Sequence, residues 1–197
     1  METTNKLFPV FLKLSKLNTL IVGGGNVALE KLNALLKNDP GALVTLVGTQ
    51  ISAGIREIAA GVPNVRLIER PFQTDDLKPE VRIVILATAD RAVNEIIYNQ
   101  ASERGILTNV ADTPDLCDFY LGSTVTKGHV KIGISTNGQS PTFAKRFREL
   151  LESILPDETN ELVENLNKIR RQLKVSFSEK VKILNAHTRE LVSGDND

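Results

Sequence analysis

Three consecutive glycines close the short apolar run Leu20-Ile21-Val22, and a helical pattern follows at once. The types and spacing in Gly23-x-Gly25-x-x-Ala28 suit the cradling of a pyrophosphate. Gly23 lets the chain turn sharply out of a strand. Gly25 keeps side-chain atoms away from the phosphates, and Ala28 lets the following helix lie close on a sheet. The first turn of that helix, at Asn26 and Val27, offers unpaired backbone N–H groups and a partial positive charge to the anion. The second group with chemical capacity is the carboxylate of Asp112, which follows the apolar run Ile106 to Val110. A carboxylate at a strand's carboxyl end, beside a bound dinucleotide, can act as a general base. Asp112-Thr113-Pro114 is equally an ordinary strand terminator.

The elements that must position these groups alternate along the chain. Thr19 to Val22 is a strand, and the helix after Gly25 carries Ala28, Leu32, Leu35 and Leu36 on one stripe. Asn38-Asp39-Pro40-Gly41 stops it. Ala42 to Val47 is a near-continuous apolar strand, as expected where both faces of a parallel sheet are covered, and Val65 to Ile68, Val81 to Ala87 and Ile106 to Val110 read as three more strands. Short helices are expected around Ile55 and from Val93 to Ala101, the latter closed by Gly105. This order predicts an α/β fold with a doubly wound parallel sheet of the Rossmann type. Ligands of such sheets sit outside the carboxyl ends of the strands. Gly48-Thr49-Gln50, Thr88-Ala89-Asp90 and Asn109-Val110-Ala111-Asp112 are therefore expected to face a dinucleotide cleft. Before the first strand, Leu7 to Leu14 reads as an edge strand, Pro9 being unable to donate to a central ladder.

One expected group is missing. A carboxylate about 20 residues past the glycines usually holds the adenosine ribose. Here the sequence is Val47-Gly48-Thr49-Gln50, with neither an acid nor an arginine for a 2′-phosphate. The residues themselves leave NAD against NADP open.

Beyond Asp112 the texture changes. Tyr120 to Thr126 and His129 to Thr136 read as strands joined at Lys127-Gly128. Ser135-Thr136-Asn137-Gly138-Gln139 is a polar loop, and Ser140-Pro141 opens a helix with serine as cap. Phe143, Phe147, Leu150, Leu151 and Ile154 form the apolar stripe of that helix. A further helix carries Leu162 to Leu173, and Ser176-x-x-Glu179 is a capping box for a third that runs to Leu191. The tail from Ser193 to Asp197 is expected to fray.

Composition removes several function classes. The 24 basic and 24 acidic residues cancel, so no global field draws the chain to nucleic acid. A single cysteine, Cys117, excludes an intramolecular disulfide and a thiolate metal cluster, and suits a reducing, cytoplasmic setting. His129, beside a hairpin turn, reads as solvated, and His187 as a partly buried packing residue. No resident metal site is expected. No apolar run reaches the ~20 residues of a membrane span, and Met1 to Lys6 lacks a signal-peptide core.

Val22 to Ala28, Asn109-Val110-Ala111-Asp112 and Ser135 to Pro141, in this order and spacing, resemble the precorrin-2 dehydrogenase family, the N-terminal module of siroheme synthase. The resemblance covers nearly the whole chain. It implies oxidation of precorrin-2 to sirohydrochlorin with NAD, and in some members insertion of ferrous iron as a second substrate. It implies a homodimer with a dinucleotide domain at 1–112, a dimerisation segment at 113–149 and a helical domain at 150–197. No methyltransferase module is expected, although some siroheme synthases carry one. By the same resemblance, Gly23, Gly25, Asn26, Val27, Thr49 and Gln50 bind NAD, and Asp112 is the aspartate of dehydrogenation and chelation. Thr136, Asn137 and Ser140 fall in a segment near the tetrapyrrole, with Thr136 where some members have serine. Arg146, just beyond, is a candidate for the carboxylates of the substrate. The rival from another class is a non-enzymatic NAD-sensing regulator. Such sensors usually keep the ribose carboxylate and need no base, which favours the enzyme.

Overall fold

The computed structural model describes residues 4–189, which fall into two compact units, one of residues 8–121 and one of residues 122–189 together with 4–7. The first unit holds β1 (Asn18–Val22), α1 (Asn26–Asn38), β2 (Val44–Gly48), α2 (Ala53–Gly61), β3 (Val65–Glu69), β4 (Val81–Leu86), α3 (Arg91–Glu103) and β5 (Leu107–Val110). The five strands form one sheet in the order β3-β2-β1-β4-β5, all neighbours parallel. This is the doubly wound sheet expected from the alternation.

The central strands β1, β2 and β4 carry apolar residues at successive positions, because each face meets a different layer. Ile21, Leu46, Ile83 and Ile85 pack with Ala28, Leu32 and Ile55 on the side of α1 and α2. Their neighbours Leu20, Val22, Val47, Val84 and Leu86 pack with Ile97 and Ala101 of α3 on the other. Burying a side chain of this size contributes about 1.5–3 kcal/mol. The chain reversal of strand order at β1 and β4 opens a crevice at their carboxyl ends, where β1 runs into the glycines.

The segment Leu7 to Leu14 does not form the expected edge strand. Residues 4–13 carry no regular secondary structure, and Phe8, Val10 and Phe11 are well exposed. Pro9 lacks a ladder donor. The chain instead enters the sheet through a 3₁₀ turn at Leu14–Lys16, whose Leu14 carbonyl accepts from the Leu43 N–H at 3.3 Å.

In the second unit, β6 (Ser123–Lys127) and β7 (Val130–Ile134) form an antiparallel hairpin separate from the main sheet. Gly128, at φ +56°, makes the turn. There follow α4 (Pro141–Ile154), α5 (Thr159–Gln172) and α6 (Phe177–His187). The Ser140 hydroxyl caps α4 by accepting from Phe143 N, and the Ser176–Glu179 capping box opens α6. The stripe on α4 divides. Ala144 and Leu151 pack on Val125 and Ile134 of the hairpin, while Phe143, Phe147, Leu150 and Ile154 stay exposed. His187 is exposed too, near the end of α6, and does not pack as expected. Leu191 and the tail lie outside the described residues.

Candidate active site

The glycine turn divides its labour among its three members. Gly23 has φ +123°, and a Cβ there would overlap the carbonyl oxygen of Ala87. Hydrogen bonds from Gly23 N to Val47 O and from Ala87 N to Val22 O, each 2.8 Å, hold β1 between its neighbours at this point. A Cβ on Gly24 would overlap the Gln50 carbonyl oxygen, and Gly24 O accepts from Ser52 N at 2.9 Å. Gly25 differs from both: a Cβ built there meets nothing within 4 Å. The first two glycines let backbone pack on backbone, and the third faces open space in front of the first turn of α1.

Sequence reading placed Gly24 in the glycine turn and Gly48 at the cleft end of the second strand, without giving either a separate job. A Cβ on Gly48 would lie 3.0 Å from Gly24 N and 3.1 Å from Gly23 C. The end of β2 thus presses so closely on the glycine turn that position 48 is poorly suited to a side chain.

These turns open on a cleft of about 1180 Å³ at the carboxyl ends of the strands. Gly23, Gly25, Asn26, Val27, Thr49, Gln50, Thr88, Asp90 and Asp112 all line it, as do Gly24, Ser52, Pro71, Phe72 and Asn94. Asn109 does not. It is buried, and its amide donates to the Phe119 carbonyl at 2.9 Å and approaches the Cys117 sulfur. Thr108, Asn109 and Val110 are all buried within β5, and the chain reaches the crevice only past the strand's end, at Ala111 and Asp112. A smaller cavity, about 540 Å³, lies at the opposite ends of β4 and β5, lined by Lys78, Arg82 and Arg104 among others.

Thr88 and Asp90 build the entry to α3. The Asp90 carboxylate accepts from Ala92 N and Val93 N, satisfying two of the helix's unpaired donors. Thr88 donates to the Asn94 side chain at 2.6 Å, and the Asn94 amide returns a bond to Thr88 O at 3.2 Å. Asn94 is buried and was missed by sequence reading, being a polar residue within a helix pattern.

The loop leaving β3 forms another part of the lining, and two ion pairs hold it. Arg70 grips Asp76 with both arms, at 2.8 and 2.6 Å, and donates to the Pro71 carbonyl at 2.9 Å. Asp76 also accepts from Gln73 N at 2.9 Å. The Arg70 hydrogen bonds, foremost, hold the Asp76 carboxyl below the usual carboxylate range. Beside it, Arg56 of α2 donates to Glu69 at 2.6 Å and to the Ile51 carbonyl at 3.3 Å, while Glu69 accepts from Ile51 N at 3.3 Å. The Arg56 hydrogen bond lowers the Glu69 carboxyl as well.

Asp112 stands just past β5 with φ +56°, in the left-handed region, which aspartate tolerates better than most residues. It is exposed, on the cleft lining, and its carboxylate has no hydrogen-bond or ion-pair partner among the described residues. Cys117 supports the strand from behind, its thiol donating to Val110 O at 3.2 Å; burial pushes that thiol up from its ordinary pKa.

The remaining candidates belong to the second unit. Thr136 and Ser140 clasp each other, with Ser140 N donating to Thr136 Oγ1 at 3.2 Å and Thr136 Oγ1 donating to Ser140 O at 3.3 Å. Asn137 has φ +52°, and its N–H donates to the Ser135 hydroxyl at 3.1 Å. Arg146 is exposed and pairs with Glu149 at 2.9 Å. The structure therefore brings Thr136, Asn137 and Ser140 into one tight loop, with Arg146 in the helix that follows. No cluster of three or more metal-binding side chains stands among the described residues. No helix among them is long and apolar enough to cross a membrane.

An NAD(P)-binding family model matches residues 10–123, more than half of the chain. A second model, described as the sirohaem biosynthesis protein central region, matches residues 127–154. The chain belongs to the siroheme synthase and precorrin-2 dehydrogenase family. It is 38% identical over 172 residues to the siroheme synthase of Methylococcus capsulatus, covering 87% of this chain and 35% of that protein. Against the siroheme synthase of Nitrosomonas eutropha it is 35% identical, again covering 87% of this chain and 35% of the relative. The chain thus spans about a third of the length of these curated relatives. A solved structure described as SirC, precorrin-2 dehydrogenase, superposes with a TM-score of 0.72 and 28% identity, covering 91% of this chain and 88% of that one. NAD is the cofactor that family membership and the SirC likeness support. The cleft fits a dinucleotide, with free space over Gly25 and with Asn26 and Val27, in the first turn of α1, on its lining.

Proposed function

We propose that this chain dehydrogenates precorrin-2 to sirohydrochlorin with NAD in siroheme biosynthesis. The observation that carries the reading is Asp112, whose carboxylate, without a partner among the described residues, stands on the lining of the same cleft as the glycine turn. Bound NAD would supply the hydride acceptor. Gly23, Gly25, Asn26 and Val27 would hold its pyrophosphate, Thr49 and Gln50 its adenosine ribose, and Thr88 and Asp90 would support the wall opposite. Asp112 would take the proton that the macrocycle loses when its hydride leaves, so that both electrons and the proton are accounted for. Thr136, Asn137, Ser140 and Arg146 would meet the tetrapyrrole and its carboxylates.

A homodimer goes with this reading. Phe143 and Phe147 stack with ring centroids 5.7 Å apart on a face of α4 that, with Leu150 and Ile154, stays open. An apolar surface of this kind marks an interface more often than a solvated helix face. The family resemblance implies ferrous iron as a second substrate in some members; in this chain dehydrogenation is proposed as the main activity and iron insertion as weak or absent. The sensor reading gains no support, because a regulator has no use for an unpaired carboxylate beside the cofactor.

Mixing the pure protein with NAD and precorrin-2 tests the reading. The absorbance of sirohydrochlorin should rise together with that of NADH. A folded, NAD-binding protein that leaves precorrin-2 unchanged would overturn it.

A further inference from the structure

The carboxylate missing from β2 has a counterpart on the next strand. In the parallel register Gly48 pairs with Glu69, the last residue of β3. Paired residues share a face of the sheet, and Glu69 rises beside the loop in which Thr49 and Gln50 line the cleft. Its carboxylate accepts from the backbone of Ile51, the next residue along that loop, and from Arg56, whose Nε donates to the carbonyl of the same Ile51. Glu69 and Arg56 thus bracket one residue, Ile51, just past the exit of β2, the first at its N–H and the second at its carbonyl. This is the end of the cleft where open α/β sheets hold the adenosine ribose, and where an arginine accommodates a 2′-phosphate.

From this geometry we infer that the Arg56–Glu69 pair sets the preference for NAD over NADP. The inference rests on the dinucleotide reading above and adds a selectivity element to it. An adenosine 2′-phosphate brings close to two negative charges and three acceptor oxygens. Arg56 has the right group to receive them, since a guanidinium forks onto phosphate oxygens. Glu69 occupies that guanidinium at 2.6 Å and adds its own negative charge. Both side chains are about half exposed, at 49% and 46%, so neither is locked in the core and the pair can exchange partners. NAD, with only a 2′-hydroxyl, meets no such penalty.

Glu69→Gln removes the repelling charge and loosens Arg56, and Arg56→Met removes the guanidinium while keeping much of the stem. Dissociation constants of NADH and NADPH, read by nicotinamide fluorescence on the full chain, need no tetrapyrrole. The parent should bind NADH more tightly. Glu69→Gln should tighten NADPH about tenfold, the size of one charge-assisted hydrogen bond, with NADH changed by less than about threefold. In Glu69→Gln/Arg56→Met that gain should disappear. Unchanged NADPH affinity in Glu69→Gln, or a gain that persists without Arg56, would overturn the inference and leave the dinucleotide reading standing. Loss of both affinities together in Glu69→Gln would also overturn it, by making Glu69 a scaffold for the 49–51 loop. A parent that binds neither dinucleotide would overturn the inference and the reading alike.

Discussion

The α-carbon of Gly24 lies so close to the carbonyl oxygen of Gln50 that no β-carbon fits between them, whereas one on Gly25, the next residue, meets nothing within 4 Å. Adjacent glycines therefore fail differently. Gly24→Ala forces backbone against backbone and should lower the melting temperature by several degrees, since displacing packed backbone costs about 1–3 kcal/mol. Gly25→Val should melt close to the parent and lose NAD binding, because its side chain fills the space left for the pyrophosphate. Calorimetry with an NADH titration separates the two, and a folded Gly25→Val protein of undiminished affinity would remove the glycine turn from the site.

Asp112→Asn keeps size and some hydrogen bonding but cannot accept a proton. NAD affinity should stay within a few-fold, while turnover of precorrin-2 falls roughly 10²–10⁴-fold, the usual contribution of a general base. Turnover near the parent's would return Asp112 to the role of a strand terminator.

Asp76 should give the fold an acid-sensitive element. Its folded pKa lies below the unfolded value near ~3.9 because Arg70 hydrogen-bonds the charged form. The pair's contribution is therefore complete above that value and is lost as pH falls through the folded pKa. Asp76→Asn should cost about 1–3 kcal/mol at neutral pH. The gap in melting temperature between parent and variant should narrow below about pH 4. A gap that stays constant from neutral to acid would mean the pair contributes nothing through its charge.

Sedimentation at micromolar concentration should give a dimer. Replacing Phe143 and Phe147 together by serine should shift it toward monomer while leaving Ala144 and Leu151 on the hairpin. A parent that sediments as a monomer would sink the proposal.

Supplying sirohydrochlorin and ferrous iron without NAD should produce siroheme at little more than the uncatalysed rate. A clear acceleration that vanishes in Asp112→Ala would make the protein bifunctional.

The α/β order and the dinucleotide turn were legible in the residues alone. Continuous apolar strands, helical stripes and the Gly-x-Gly-x-x-Ala spacing are local signals, each read from neighbours along the chain. So were the caps at Ser140 and Ser176, which need only residues three positions apart. Contacts between distant segments were decided only by the tertiary structure. Asn109 lies buried with its amide on the Phe119 carbonyl, ten residues further along the chain, and nothing nearby in sequence says so. Leu7 to Leu14 had the composition of a strand and found no ladder. Asn94, Asp76 and Glu69 gained their roles from Thr88, Arg70 and Arg56, whose approach depends on how helices and loops return to the sheet. The gap after β2 had the same origin. The glycine turn and the end of β2 press together at Gly48, and the nearest carboxylate stands on the neighbouring strand, a neighbour in space that register alone creates.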